Sequence, residues 1–147
     1  MATSRTASAV WTGDLLSGSG VVSANSSLAF NELAVSWKAR TEEAESNTSP
    51  EELLAAAHAS CFSMALSAGL SRNGTPPSKL EVEATVTFSQ VESGWKVTSS
   101  ALRVVGSVEG LDLEGFKNAA EAAKDGCPIS GAIKDNVELS VEASLNT

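Results

Sequence analysis

Two cysteines, Cys61 and Cys127, are the side chains of this sequence most suited to reactive chemistry. If they meet in the folded protein, one cysteine oxidised to a sulfenic acid could be resolved by the other as a disulfide. The sequence alone leaves open whether they meet. A tetrahedral zinc site needs about four ligands, and with His58 as the single histidine it would have to recruit a carboxylate at an unusual spacing. In a reducing compartment a lone pair of cysteines is more often redox-active than structural, so the composition favours redox chemistry over metal binding.

The two cysteines are predicted to lie in different electrostatic environments. Cys61 falls deep inside a predicted helix, beyond the first turn in which the helix dipole stabilises a thiolate. Burial among apolar neighbours would raise its pKa, so Cys61 is either a small core residue or a reactive group that needs a cation from elsewhere. Cys127 precedes Pro128 at a predicted helix start, where free backbone N–H groups lower a thiol pKa. The alternative for Cys127 is a cap residue without a special function.

Charged and basic side chains near Cys61 in the sequence have open roles. The cation could come from any of four arginines, which are Arg5, Arg40, Arg72 and Arg103. Arg40 stands first among them because it ends a segment just before the helix. His58 could act as the base of a Cys–His acyl hydrolase, or it could be a packed, hydrogen-bonded histidine. Glu51 and Glu52 lie in the first helical turn, where a carboxylate is favourable with or without a catalytic role.

The charge of the chain disfavours some partners. Ten Lys and Arg against 18 Asp and Glu give a formal net charge of −8, which disfavours binding to nucleic acid or anionic membranes. The first residues contain no apolar core of a signal peptide, and the longest apolar-rich run, Leu53–Leu66, is too short to cross a bilayer. With 147 residues and 42% hydrophobic composition, we expect one soluble, cytoplasmic domain over residues 1–147.

The element that must position Cys61 is a long central helix. Ser49 is a good N-cap, Pro50 suits the first helical position, and helix formers run from Glu51 to Leu70. This helix is apolar nearly all round and is therefore predicted to be buried. Asp112 caps a second helix, Leu113 to Lys124, and a shorter helix follows Pro128. Period-two patterns predict strands at Ala7–Trp11, Val21–Val22, Leu33–Arg40, Leu80–Ser89, Trp95–Val108 and Asn136–Leu145. The order predicts an α+β fold with a mainly antiparallel sheet enclosing the helix.

Two motifs resemble those of a known family. The stretch SPEELLAAAHASCFSMALS over residues 49–67 resembles the central-helix signature of the OsmC/Ohr family of organic hydroperoxide reductases. The stretch GCPIS over residues 126–130 resembles the second-cysteine motif of that family. The early WTGD at residues 11–14 and the C-terminal strand also fit, so the resemblance covers nearly the whole chain. His58 and the Phe62-Ser-Met stretch are more similar to the osmotically inducible OsmC branch than to the Ohr branch.

The resemblance implies a complete site. By position, Cys61 corresponds to the peroxidatic cysteine, Cys127 to the resolving cysteine and Glu51 to the active-site glutamate of the family. Arg40 corresponds to the activating arginine of the OsmC branch, and a salt bridge to Glu51 would hold it beside the Cys61 thiolate. The implied fold is OsmC-like, an intertwined homodimer whose sheets wrap the central helices. The implied reaction reduces organic hydroperoxides, and more weakly hydrogen peroxide, in oxidative or osmotic stress defence.

The resemblance also implies partners and a substrate preference. No metal, flavin or other cofactor is expected, and the reductant is a dithiol, either a lipoyl protein or another thiol. An apolar wall that includes Phe62, Met64 and Trp37 would favour alkyl peroxides. Two other functions are weighed beside this one. They are a binding module whose cavity holds a hydrophobic small molecule, and the Cys–His hydrolase that depends on His58.

Overall fold

The computed structural model describes residues 1–146, which fall into two compact units. The first unit is Met1–Leu53 and the second begins at Leu54; a single domain over residues 1–147 stays a prediction. In chain order the elements are β1 (Ala7–Thr12), β2 (Ser19–Ala24), β3 (Leu33–Val35), α1 (Trp37–Thr41), α2 (Pro50–Arg72), β4 (Lys79–Val91), β5 (Gly94–Ser107), α3 (Leu113–Gly126), α4 (Pro128–Ile133) and β6 (Glu138–Leu145). The predicted α+β class is confirmed, with one helix more than expected.

The first unit contains an antiparallel sheet in the order β1-β2-β3. The extra helix, α1, replaces the end of the strand that was predicted over Leu33–Arg40, so that prediction is wrong beyond Val35. The reason is local, because the Ser36 hydroxyl accepts a hydrogen bond from the Ala39 backbone N–H at 3.1 Å and so caps a helical turn. The apolar residues alternate on both sides of Ser36, but serine is a residue that favours the start of a helix. As a result Arg40 projects from a helix and not from a strand.

Helix α2 begins where the capping residues predict. The Ser49 hydroxyl accepts a hydrogen bond from the Glu52 N–H at 3.1 Å, and Pro50 is the first helical residue. By length and apolar composition alone this helix of 23 residues could cross a membrane, so it is longer than the apolar run Leu53–Leu66 predicts.

One face of α2 is buried within the second unit. The buried residues recur every four positions and are His58, Phe62, Leu66 and Leu70, as expected for one helix face. The opposite face differs from the prediction of an all-round buried helix, since Met64 is 69% exposed. In a single chain, a helix packed on one side keeps its other side open.

The second unit has a sheet in the order β4-β5-β6. Strands β4 and β5 form the predicted antiparallel hairpin, which turns at Gly94 with a positive φ of 123°. Strand β6 pairs parallel to β5. Alternate residues of β5, among them Leu102 and Val104, pack against the buried face of α2 and against Phe116 of α3. Burying each such side chain contributes about 1.5–3 kcal/mol, and this core fixes the helices that hold the cysteines.

Candidate active site

The two cysteines meet in the second unit. The Sγ atom of Cys61 on α2 lies 3.0 Å from the Sγ atom of Cys127, which is within hydrogen-bond distance. Both thiols are free; Cys61 is partly buried, and Cys127 is 1% exposed. Cys127 ends α3 and precedes the first residue of α4, as predicted. The question that the sequence left open is therefore answered, and the pair is placed to form a disulfide.

The fold shifts the pKa values of the two thiols in opposite directions. Burial and the hydrogen bond with Cys127 raise the pKa of the Cys61 thiol, and the Ile129 backbone offsets only part of this effect. Burial is the largest single influence on the pKa of Cys127 and acts to raise it, but the hydrogen bond with Cys61 acts in the other direction, and the hydrogen bonds taken together outweigh burial. Hydrogen bonding from the backbone and hydroxyl of Ser130, and from the Ile129 backbone, adds to the lowering. The pKa of Cys127 therefore lies below its ordinary value, and both directions agree with those predicted from the sequence.

His58 is completely buried and hydrogen-bonded through both ring nitrogens. Its Nδ1 atom lies 2.6 Å from the Ser100 hydroxyl, and its Nε2 atom lies 2.8 Å from the Ser130 hydroxyl. The ring therefore has the environment of a packed, satisfied histidine. No observation favours the hydrolase, because the nitrogens that would serve as its base are taken by serines.

The Ser100 and Ser130 partners were not identified from the sequence. A signal for each was present. Ser130 closes the GCPIS motif, and Ser100 is in phase with the inward-facing Leu102 and Val104 of β5. A serine at an inward position of a strand needs a buried partner, and His58 is that partner.

Arg40 and Glu51 form an ion pair in the first unit. The Arg40 Nε atom donates to both carboxylate oxygens of Glu51 at 3.0 and 3.1 Å. The Nη2 atom of Arg40 lies 2.9 Å from Oε1 of the same carboxylate. Glu51 is 7% exposed, so this forked pair is held rigidly. Glu52, by contrast, accepts a hydrogen bond from the Thr48 hydroxyl at 2.8 Å on the surface.

An apolar pocket of about 280 Å³ adjoins this ion pair. Its lining includes Trp11, Leu15, Trp37 and Arg40, so one guanidinium lies at the edge of a mostly apolar wall. The Trp37 ring centroid lies 6.0 Å from Arg40 Cζ. A small cavity with aromatic walls and one cation suits an alkyl ligand that has a polar end.

The remaining candidates lie elsewhere. Phe62 is fully buried in the core, and Met64 is exposed beside a different cleft; neither lines the pocket at Arg40. Arg103 forms an exposed ion pair with Glu83 at 3.3 Å, and Arg5 donates to the neighbouring Ser4 carbonyl. Arg72 lines a cleft between α2 and α3. Of the four arginines, Arg40 is the one held by a buried carboxylate.

The chain is similar in sequence and in fold to known redox proteins. The family described as OsmC-like protein matches residues 41–142. Peroxiredoxin OsmC of Escherichia coli is 39% identical over 129 residues, which is 88% of this chain and 89% of the relative. The organic hydroperoxide resistance protein OhrB of Bacillus subtilis is 29% identical over 69% of this chain and 73% of its own length. The crystal structure of an organic hydroperoxide resistance protein from Elizabethkingia anophelis superposes with a TM-score of 0.78 at 26% identity, covering 99% of this chain and 100% of the other.

Proposed function

This chain belongs to the family of OsmC-like proteins, and we infer that it is a thiol-dependent peroxidase that reduces organic hydroperoxides in stress defence. The observation that carries this function is the 3.0 Å approach of two free thiols in one chain. Oxidation of these two thiols to a disulfide supplies the two electrons that a hydroperoxide takes up. The substrate is a hydroperoxide and the reductant is a thiol compound.

The reaction proceeds in three steps. The Cys61 thiolate attacks the distal peroxide oxygen, the O–O bond breaks, and the alkoxide takes up a proton to leave as an alcohol. Cys127 then attacks the sulfur of the Cys61 sulfenic acid, so that an S–S bond forms, the S–O bond breaks and water leaves. A dithiol, from a lipoyl protein or another thiol, reduces the disulfide by exchange and is itself oxidised. The assignment of Cys61 to the first step rests on the family resemblance and on its greater exposure to solvent.

Cys61 needs a cation, and we assign Arg40 and its partner Glu51 to that task. Glu51 and Cys61 stand ten residues apart on α2, and ten helical residues rise about 15 Å. Along one helix, the backbones of Glu51 and Cys61 are therefore separated by more than a direct charge contact spans. We propose that the chain forms a homodimer in which Arg40 and Glu51 of one subunit lie beside Cys61 of the other.

Exposed apolar side chains support a homodimer. Large apolar patches left exposed on a single chain mark surfaces that a partner covers. Here several large apolar side chains are at least half exposed, namely Val10, Leu15, Leu16, Leu28 and Met64. Met64 follows Cys61 by three residues on the open face of α2. A second copy that covers this face would bury Met64 and shield Cys61 from bulk water.

The pocket beside Arg40 supports alkyl hydroperoxides as substrates. Its volume of about 280 Å³ admits a ligand of modest size, and its Trp11, Leu15 and Trp37 side chains offer apolar contact. Hydrogen peroxide has no alkyl group to bury there, so it gains none of this binding energy. We expect a cytoplasmic enzyme, because a reducing compartment keeps Cys61 and Cys127 available as thiols.

A peroxide titration tests this function. One equivalent of cumene hydroperoxide should convert the wild-type chain to a species lighter by two hydrogens in intact mass spectrometry, with loss of both free thiols. Cys61→Ser should keep the Cys127 thiol and consume no peroxide. Cys127→Ser should consume one equivalent and stop at the sulfenic acid. A wild-type chain that binds the hydroperoxide but keeps both thiols would instead be a binding module, and the peroxidase would be refuted.

A further inference from the structure

The His58 network has no part in the three steps above, although it is buried and His58 precedes Cys61 by three residues on α2. Ser100, His58 and Ser130 form a continuous hydrogen-bonded row with no exposed member. Ser130 lies three residues after Cys127, on the first turn of α4. The row therefore runs from the sheet, through α2, to the helix that begins after Cys127.

The tautomer of His58 sets the direction in which the hydrogen bonds of the row point. A neutral imidazole has one donor nitrogen and one acceptor nitrogen, and a hydroxyl has one proton to donate. Burial lowers the pKa of His58, so the ring is neutral. If Nε2–H donates to the Ser130 oxygen, the Ser130 proton is free for the Cys127 sulfur and Nδ1 accepts from Ser100. In the other tautomer Ser130 gives its proton to His58, and Cys127 receives none.

We propose that His58 is a positioning residue for the resolving step, in which it fixes the Ser130 hydroxyl as a hydrogen-bond donor to the sulfur of Cys127. This inference rests on the proposed function. The Ser130 donor stabilises the Cys127 thiolate, whose electron pair forms the S–S bond with Cys61. The S–O bond of the sulfenic acid breaks, and the departing hydroxide is protonated to water. His58 exchanges no proton in this step, because its role is to hold the tautomer that orients Ser130.

Two variants of His58 separate positioning from base catalysis. His58→Gln can keep an amide N–H donor near the position of Nε2 but cannot act as a base. His58→Leu removes the donor. Ser130→Ala removes the hydroxyl directly and keeps the experiment informative if His58→Leu does not fold. Ser60→Ala is the matched control, because Ser60 is an exposed serine on the same helix that bonds only to backbone carbonyls of its own helix.

Two measurements are made on each variant. In a Cys61→Ser background Cys127 is the sole thiol, and its rate of alkylation against pH reports its thiolate without any peroxide. In chains with both cysteines, single-turnover oxidation by cumene hydroperoxide in the presence of dimedone measures how the sulfenic acid divides between the dimedone adduct and the disulfide. Formation of the sulfenic acid reports the first step, so failure of the proposed peroxidase is seen separately from failure of the His58 role.

We expect a loss of rate that is confined to the second step, in which the disulfide forms. The loss of a hydrogen bond to a charged group changes an equilibrium constant by about tenfold or more. His58→Leu and Ser130→Ala should therefore form the disulfide about tenfold more slowly and shift the Cys127 alkylation profile to higher pH, with the first step unchanged. His58→Gln should recover most of the rate. A wild-type alkylation profile and partition in folded His58→Leu or Ser130→Ala would overturn the proposal, as would a His58→Gln variant as slow as His58→Leu.

Discussion

The assignment of Arg40 to the partner's Cys61 makes a quantitative prediction. For an effective dielectric constant of 20, two unit charges interact with about 4 kcal/mol at 4 Å and about 1 kcal/mol at 15 Å. Physiological salt reduces the more distant interaction further, since its Debye length is about 8 Å. If Arg40 contacts the thiolate across a dimer, Arg40→Ala should slow the reaction of Cys61 with cumene hydroperoxide at pH 7 by about 100-fold or more. If Arg40 acts only through its own helix, the loss should stay below about tenfold.

Two substitutions serve as controls. Arg103→Ala removes an exposed arginine paired with Glu83 and should leave the rate unchanged. Arg40→Lys keeps the charge but loses the forked contact with Glu51, so its rate should fall between those of wild type and Arg40→Ala. The assay is stopped-flow oxidation under single-turnover conditions, with the pH dependence of Cys61 alkylation measured in a Cys127→Ser background.

Mixing inactive subunits shows which chain supplies Arg40. Subunits with Arg40→Ala and subunits with Cys61→Ser each lack one component, but a mixed dimer has one site with an intact Cys61 facing an intact Arg40. Since about half of randomly mixed symmetric dimers are heterodimers, each with one complete site, about one quarter of the wild-type activity should return. If dissociated and reassociated mixtures recover no activity, Arg40 does not act across the dimer. A wild-type rate in Arg40→Ala alone would refute its role altogether.

Four further predictions follow from the described residues. Cys61→Ser should abolish peroxide reduction and Cys127→Ser should stop after one turnover, as measured by peroxide consumed per chain. Phe62→Ala should lower the free energy of unfolding by about 3–5 kcal/mol in urea denaturation, because the ring is fully buried. Asp112→Ala should cost about 1 kcal/mol in the same assay, because its side chain caps α3 by accepting from the Gly115 N–H at 2.8 Å. The pKa of His58 is lowered by burial from its ordinary 6.5, so unfolded chains bind more protons below that pH and stability should fall on acidification; a pH dependence as steep in His58→Gln as in wild type would contradict this.

Local patterns were enough to predict most of the fold. Strand β4 alternates strictly, and helix α2 carries its own start signal in Ser49 and Pro50, so both were found close to their true bounds. The error at α1 has the same local origin. Leu33, Val35 and Trp37 alternate as a strand does, whereas the turn at Ser36 depends on a hydrogen bond that alternation does not encode. Period-two patterns report which face is apolar and not where a capping side chain will end the strand.

The site could be predicted only where its parts are close in sequence or resemble a family motif. Arg40 and Glu51 are separated by a short loop, and their pairing followed from the family resemblance. The meeting of Cys61 with Cys127 depends on how α3 and α4 pack on the sheet, which no local pattern states. The partners of His58 were missed for the same reason, since Ser100 and Ser130 come from β5 and α4 and join only in the folded core.

The opposite pKa shifts of the two thiols suggest how the proposed dimer would activate Cys61. In the single chain, burial raises the pKa of Cys61, and hydrogen bonding lowers that of Cys127, so the thiolate is favoured on Cys127, the proposed resolving cysteine. The first step needs the thiolate on Cys61, and the second needs it on Cys127. In the homodimer proposed above, the guanidinium of the partner subunit would reverse this order for the first step. Once Cys61 is a neutral sulfenic acid, the proposed Ser130 donor would leave Cys127 as the favoured thiolate. Assembly of the dimer would thus activate Cys61 without weakening the group that must follow it.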